Sequence, residues 1–214
     1  EDGLVWYWNF DNDQNGSSNA VNATIGGMNG TKGSGVTLVT GKFGNALKFD
    51  GSTNANSFVD FGSGSRTNFD GIFSVSLWVK RTGAYSGYGR LVTNKSGGST
   101  SGFQIYFSTT NDRLYVKGTT QSRYGRATSS WTAQNWVHVV TTFNAQAAST
   151  AQRFKMYADG SFVTQGDIPK IGPGSSNLIF GKSPGGGSRM IGSLDDVRFY
   201  DRELSGAEAS TLYG

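Results

Sequence analysis

The chain has 214 residues, among them 32 glycines and 3 prolines, and it contains no cysteine. The lack of cysteine excludes disulfides, zinc-thiolate sites and thiol catalysis. The net charge of +4 and the pI near 9.3 favour an anionic partner. No run of three or more consecutive Lys or Arg occurs, so the charge pattern gives no support for nucleic acid.

Short runs in which apolar and polar residues alternate recur along the chain and predict β-strands. The alternate residues predicted to face the core are Phe73, Val75, Leu77, Val79, Phe103, Ile105, Phe107, Leu114, Val116, Phe154 and Met156. Those predicted to face solvent from the same runs include Trp78, Tyr106, Arg113 and Tyr115. Clusters rich in Gly, Asn and Ser separate the strands and predict turns.

This spacing of short strands predicts an all-β fold, an antiparallel jelly-roll sandwich formed by residues 1–214 as one domain. Ser205 precedes Glu208 by three residues, which is the spacing of a capping box, so we expect one short helix or turn near residues 205–213. No apolar run approaches the roughly 20 residues of a membrane helix.

Several segments then resemble laminin-G-like domains of the concanavalin A-like lectin/glucanase superfamily, in the order typical of that family. The most specific are GKFGNALKFDG (41–51) and IGSLDDVRFYDRELSGAEASTLYG (191–214), supported by LVWYWNFD (4–11), FSVSLWVKR (73–81), NWVHVVTTF (135–143), FKMYADG (154–160) and LIFGK (178–182). The resemblance implies two antiparallel sheets packed face to face. It does not fix the function, because this fold carries lectins, carbohydrate-binding modules, hydrolases, lyases and adhesion domains.

Catalytic chemistry is poorly represented. Glycoside hydrolysis normally needs two carboxylates that flank the scissile bond, and none of the three glutamates lies in a predicted core strand. The single histidine, His138, lies in a strand, where we interpret it as a packed structural residue rather than the base of a lyase. We therefore expect a protein that is not an enzyme.

Asp195 shares its predicted side of the last strand with Val197 and Phe199, so we expect its carboxylate to enter the edge of the core and to need a partner. The resemblance implies a structural calcium ion bound by Asp11, Asp50 and Asp195, with Asp13 as an alternative to Asp11. The other interpretation of Asp195 is an aspartate that is satisfied by hydrogen bonds alone.

Two loops combine aromatic rings with arginines. Such residues bind sugars, because rings stack on the C–H faces of pyranoses and guanidinium groups donate forked hydrogen bonds to sulfates or carboxylates. The predicted ligand-binding residues are Tyr85, Tyr88, Arg90, Arg123, Tyr124, Arg126 and Trp131. The alternative site is a groove on the concave sheet that contains Tyr106, Arg113 and Tyr115.

These features predict a non-catalytic carbohydrate-binding module that recognises an extracellular polysaccharide, with an anionic (sulfated or uronate-bearing, algal-type) glycan favoured by the charge. We expect a secreted or cell-surface monomer that is linked to a catalytic domain in a larger protein and binds neither nucleic acid nor membrane. The alternatives are an adhesion or structural domain that binds protein, and a polysaccharide-cleaving enzyme.

Overall fold

The structure, a computed structural model, describes residues 2–13, 19–52, 56–62, 71–83, 87–95, 101–108, 113–118, 134–168, 171, 174 and 176–214, together with the backbone of 122–125. Two antiparallel sheets of eight strands each form a sandwich, which confirms the predicted class. Within these residues no helix is both long and apolar enough to span a membrane.

The first sheet, sheet A, has the strand order β14-β13-β12-β7-β16-β5-β4, and β1 also pairs with β16. Its strands are β1 (Leu4–Trp8), β4 (Val36–Thr40), β5 (Asn45–Phe49), β7 (Ile72–Arg81), β12 (Trp136–Asn144), β13 (Phe154–Ala158), β14 (Ser161–Gly166) and β16 (Gly192–Tyr200).

The second sheet, sheet B, has the order β11-β10-β9-β8-β15-β6-β3-β2. Its strands are β2 (Ala20–Val21), β3 (Gly30–Lys32), β6 (Val59–Asp60), β8 (Gly89–Thr93), β9 (Gln104–Phe107), β10 (Leu114–Lys117), β11 (Ser122–Gly125) and β15 (Ile179–Phe180). A short 3₁₀ turn, Thr150–Gln152, precedes β13.

The core lies between the two sheets, and every residue predicted to face it is buried. The register explains the pattern, because Val79 of β7 lies between Val137 of β12 and Leu194 of β16, so the three side chains share the inner face. Aromatic rings fill the space where the sheets meet, for example Trp8 against Phe180 in an edge-to-face contact.

The C-terminal helix α1 (Gly206–Tyr213) begins at the predicted N-cap. The Ser205 hydroxyl accepts a hydrogen bond from the backbone N–H of Glu208, and the Glu208 carboxylate accepts one from the backbone N–H of Ser205. These reciprocal bonds satisfy two of the N–H groups that a helix start leaves open. The sequence prediction of this helix is confirmed.

The prediction that Trp78 faces solvent is wrong. Trp78 lies on the outer face of sheet A, but only 1% of it is exposed. Tyr213 of α1 stacks on its ring at 5.6 Å, and the Lys42 ammonium lies 4.5 Å from its ring centroid. Both covering groups come from segments distant in the chain, so alternation within β7 does not reveal them.

The predicted side for Asp195 is also wrong, because β16 contains a β-bulge. Asp195 pairs with Trp78 on the outer face, whereas Val197 and Phe199 face the core. Asp196 has a φ of 49°, and it and Val197 together lie opposite one residue of β7. The bulge changes the alternation at this point, and Asp195 is nevertheless fully buried.

Candidate functional site

The structure describes only part of the predicted ligand-binding set. Tyr88 and Arg90 are described with their side chains, at the start of β8. Arg123 and Tyr124 lie in β11, of which the backbone alone is described, and their Cα partners are Val116 and Tyr115. The remaining three predicted residues, Tyr85, Arg126 and Trp131, lie outside the described residues.

Four residues form what we call the tyrosine-arginine cluster: Arg90 of β8, Tyr106 of β9, Tyr115 of β10, and Tyr88, which lies directly before β8. The Arg90 guanidinium carbon lies 4.2 Å from the Tyr106 ring centroid and 5.0 Å from that of Tyr88. Tyr106 and Tyr115 stack at 5.5 Å with an interplanar angle of 15°, while Tyr88 meets Tyr106 edge-on at 5.3 Å. The rings and the cation therefore form one continuous contact surface.

The strand register brings these residues together. Arg90 pairs with Tyr106, and Tyr106 pairs with Tyr115, so the three lie in one row across the outer face of sheet B. The row continues through the backbone of β11, where Tyr115 pairs with Tyr124. Tyr88 and Arg90, which belong to the predicted loop site, therefore lie against Tyr106 and Tyr115, which belong to the alternative site on the concave sheet.

Exposure differs across the tyrosine-arginine cluster. Tyr88 is 45% exposed and forms its outer end, whereas Tyr106 is only 6% exposed, so the prediction that Tyr106 faces solvent is wrong. Tyr106 is buried because Arg90 and two rings pack against it. Arg113, the third residue of the alternative set, lies directly before β10 and is half-buried.

The Arg90 guanidinium carries unused hydrogen-bond donors. Its Nε and Nη1 atoms are buried and donate to no described residue. Burial lowers the pKa of Arg90 from its ordinary value, and the neighbouring Tyr106 and Tyr88 partly oppose this shift. A buried guanidinium with open donors is costly without a partner, so this position favours an acceptor supplied from outside the described chain.

A second arginine with the same property follows in the turn before β16. Nε and Nη1 of Arg189 are also buried and have no hydrogen-bond partner among the described residues. Its neighbour Ser188 approaches the start of β8, since a Cβ at Gly87 would lie 3.7 Å from the Ser188 Oγ atom. Sequence reasoning missed Arg189, because the run of glycines before it indicates a turn and nothing more.

The Asp195 carboxylate is satisfied by the backbone. Its Oδ2 atom accepts hydrogen bonds from the N–H groups of Lys42 and Phe43 at 2.8 and 3.0 Å, and its Oδ1 atom accepts one from the N–H of Asp196 at 2.8 Å. Burial raises the pKa of Asp195 to about 7, and these backbone donors oppose the rise. This geometry supports the interpretation of Asp195 as an aspartate satisfied by hydrogen bonds.

The three carboxylates predicted to bind calcium are not gathered at one point. Asp11 and Asp195 both contact the turn before β5. The Oδ1 atom of Asp11 accepts a hydrogen bond from the N–H of Asn45 at 2.7 Å, and Asp195 accepts from Lys42 and Phe43. Asp50 follows the far end of β5, about 16 Å along the strand. Calcium ligands lie at about 2.3–2.6 Å from the ion, so these residues do not fit one joint site. Among the described residues there is no group of three or more metal-binding side chains.

Asp13, the alternative to Asp11, differs from the other carboxylates. It is buried, and its Oδ1 atom accepts two hydrogen bonds from Asn22, both at 2.9 Å. Its Oδ2 atom is buried and has no hydrogen-bond partner among the described residues. Asp13 therefore has a buried oxygen that a bound cation would satisfy. Calcium binding stays a prediction.

His138 is enclosed on the outer face of sheet A. Its Nε2 atom is 2.9 Å from the Ser76 hydroxyl, and the Trp78 ring lies 5.1 Å away. Only 1% of His138 is exposed, and burial lowers its pKa to about 4, with a smaller contribution from Arg198. These contacts support the interpretation of His138 as a structural residue, since a substrate has no access to it.

The fold is that of an antiparallel β-sandwich domain with one short C-terminal helix. The chain belongs to the laminin-G family described as the concanavalin A-like lectin/glucanases superfamily, whose model matches residues 50–210. No curated protein sequence matches the chain.

Solved structures share the fold at low sequence identity. Sialidase from Trypanosoma rangeli is 16% identical, with a TM-score of 0.71 over 100% of this chain and 33% of the sialidase chain. Domain 4 of the extracellular arabinanase AbnA from Geobacillus stearothermophilus, in complex with arabinotriose, is 18% identical with a TM-score of 0.71, and each chain is covered fully, at 100%. The binding domain of Paraclostridial Mosquitocidal Protein 1 is 18% identical, with a TM-score of 0.71 over 99% of this chain and 52% of that one.

Proposed function

We propose that the protein is a non-catalytic carbohydrate-binding module whose tyrosine-arginine cluster recognises an anionic extracellular polysaccharide. One observation carries the proposal: the Arg90 guanidinium packs against the rings of Tyr88 and Tyr106 while its Nε and Nη1 atoms have no hydrogen-bond partner among the described residues. Its position is fixed by packing, and its donors are left for a ligand.

The rings supply the apolar part of recognition. A pyranose exposes C–H groups that pack on aromatic faces, and Tyr88 and Tyr115 lie at the two more accessible ends of the cluster. Because the rings already contact one another and Arg90, little side-chain freedom remains to be lost when a ligand binds. Pre-organisation of this kind raises affinity.

The charge of the surface supports an anionic sugar. A guanidinium matches carboxylate and sulfate groups through paired N–H donors, and both Arg90 and Arg189 have such donors open. The net charge of +4 further favours anions over neutral chains at low ionic strength. Sulfated and uronate-bearing polysaccharides share this chemistry.

Two observations support a binding module rather than an enzyme. The one histidine is buried against Ser76 and Trp78, and Asp195 accepts three backbone hydrogen bonds. Neither group is placed to act on a glycan. By analogy with the extracellular arabinanase, whose domain 4 shares this fold, we infer that the module belongs to a larger secreted protein with a linked catalytic domain.

The test is affinity electrophoresis of the protein through gels that contain neutral, sulfated or uronate-bearing polysaccharides. We expect the anionic gels to retard the protein. Arg90→Gln and Tyr115→Leu should each lower the affinity for the anionic polysaccharide about tenfold. Lys48→Gln is the matched control, because it removes the same charge from an exposed position on sheet A. Failure to bind any polysaccharide, or equal losses in Lys48→Gln and Arg90→Gln, would contradict the proposal.

A further inference from the structure

We propose a second carbohydrate site, for a neutral sugar, in a cavity of about 740 Å³ at the β2-β3-β6 end of sheet B. This volume lies within the range of small-molecule sites, about 300–1,000 Å³. The lining residues that carry the argument are Asn29, Thr31, Asn56, Phe58, Asp60 and Asn177. The inference does not depend on the tyrosine-arginine cluster.

Asp60 forms the fixed centre of the cavity. The Asn177 side-chain amide donates to both carboxylate oxygens, at 2.9 and 3.1 Å, and the Gly62 backbone N–H donates to Oδ1 at 2.8 Å. Oδ2 therefore has one donor among the described residues and can accept a further hydrogen bond, since a carboxylate oxygen has two lone pairs. A carboxylate held in this way can accept from neighbouring hydroxyls of a sugar.

Other polar groups in the cavity have no partner within the described structure. The Thr31 hydroxyl, the Asn56 side-chain amide and the Asn177 side-chain oxygen Oδ1 make no hydrogen bond to a described residue. Amides and hydroxyls each donate and accept, as sugar hydroxyls do. The wall thus offers both halves of the hydrogen bonds that a sugar ring can make.

The charge of the cavity favours a neutral ligand. Its lining contains one carboxylate, Asp60, and one ammonium side chain, Lys32, and the remaining polar residues are uncharged. Phe58 adds apolar surface, and its ring is held by the Lys182 ammonium 3.4 Å from its centroid. Hydroxyl-rich, uncharged molecules with an apolar C–H face fit this combination better than anions do.

The cavity and the tyrosine-arginine cluster share the outer face of sheet B but are separate. The row of paired residues runs from Thr31 through Asp60 and across β15 to Thr93 and Gln104. Thr93 and Gln104 are 0% and 3% exposed, and the Gln104 side chain donates to the Lys95 carbonyl. A covered strip therefore divides the two sites: β6 with Asp60 and β8 with Arg90 are two strand spacings apart, about 10 Å, and Arg90 lies three residues from Thr93 along β8.

The experiment is a titration of isotopically labelled protein with arabinose, galactose, glucose, mannose and N-acetylglucosamine, followed by NMR of the backbone amides. We expect at least one sugar to shift the amides of Thr31, Asp60 and Gly62 without shifting that of Tyr106. Thr31→Val should lower the affinity for this sugar about tenfold, because it removes one hydroxyl group at nearly constant volume. Thr37→Val, at an exposed position of β4 in sheet A, is the matched control and should change nothing.

The outcomes separate this site from the proposed function. Arg90→Gln should leave the neutral-sugar shifts intact, and Thr31→Val should leave retardation by anionic polysaccharides intact. The second site is overturned if no sugar shifts the three cavity amides, or if Thr31→Val binds as well as the parent protein. Shifts confined to Tyr106 and Tyr115 would also overturn it, while leaving the tyrosine-arginine cluster as the binding site.

Discussion

Asp195 accepts a hydrogen bond from the backbone N–H of Lys42 at 2.8 Å, although 153 residues separate the two in the chain. The bond joins the centre of β16 to the turn before β5. We expect Asp195→Ala to lower the free energy of unfolding by about 2–4 kcal/mol, because three backbone N–H groups lose their acceptor. Urea denaturation measures the change. Asp50→Ala is the control, because its exposed carboxylate accepts from the Ser52 N–H and from no other described residue, and a loss as large in the control would contradict this account.

The pH dependence of stability should have two opposing parts. The pKa of Asp195 is raised from 3.8 to about 7, so its contribution to the free energy of unfolding falls as pH rises through that window. The pKa of His138 is lowered from 6.5 to about 4, so its contribution rises with pH between those values. We expect Asp195→Asn to weaken the fall and His138→Gln to remove the rise in urea unfolding across this range, because Asp13, whose pKa burial also raises, still contributes to the fall. Parallel profiles for the two variants would refute both assignments.

Calcium should distinguish Asp13 from Asp195. Asp13 has a buried oxygen without a described partner, whereas both oxygens of Asp195 accept from the backbone. We expect calcium to raise the thermal unfolding midpoint of the parent protein and of Asp195→Asn equally, and EDTA to reverse it, because an ion bound only by the folded state stabilises it. The response should be lost in Asp13→Asn. If calcium and EDTA change none of these midpoints, the calcium prediction is wrong.

The capping box of α1 should stabilise the helix that packs on the outer face of sheet A. Ser205→Ala removes the acceptor for the Glu208 N–H and should lower the free energy of unfolding by about 1 kcal/mol. Ser210→Ala, an exposed change within the same helix, should have an effect near zero. Because Tyr213 stacks on Trp78, loosening of α1 should also shift tryptophan fluorescence to longer wavelength. Equal effects of the two alanine variants would argue against the cap.

Salt should weaken polysaccharide binding through Arg90. Raising the ionic strength from about 0.01 to 0.15 M shortens the screening length from about 30 to 8 Å. We expect the affinity of the parent protein for an anionic polysaccharide to fall more steeply than that of Arg90→Gln, as measured by affinity electrophoresis at both salt concentrations. Identical slopes for the two proteins would mean that Arg90 makes no charged contact with the ligand.

The sequence is sufficient to predict the sandwich and the capped helix, because alternation within a strand and capping residues are local signals. It is not sufficient for Trp78, whose cover comes from Tyr213, or for Asp195, whose side is set by a bulge. The site shows the same division. Tyr88 and Arg90 stand out in their loop, whereas their contact with Tyr106 depends on strand register, which a single sequence does not reveal.

The position of β16 bears on the order in which the chain can fold. This strand, Gly192–Tyr200, pairs with β7, β5 and β1, so it completes the middle of sheet A although it follows the other strands of the sheet in the sequence. During synthesis, β5 and β7 leave the ribosome long before the strand that separates them, and their inner residues stay exposed until it arrives. Because such long-range pairing is slow to form, the nascent domain should depend on chaperones until β16 has emerged.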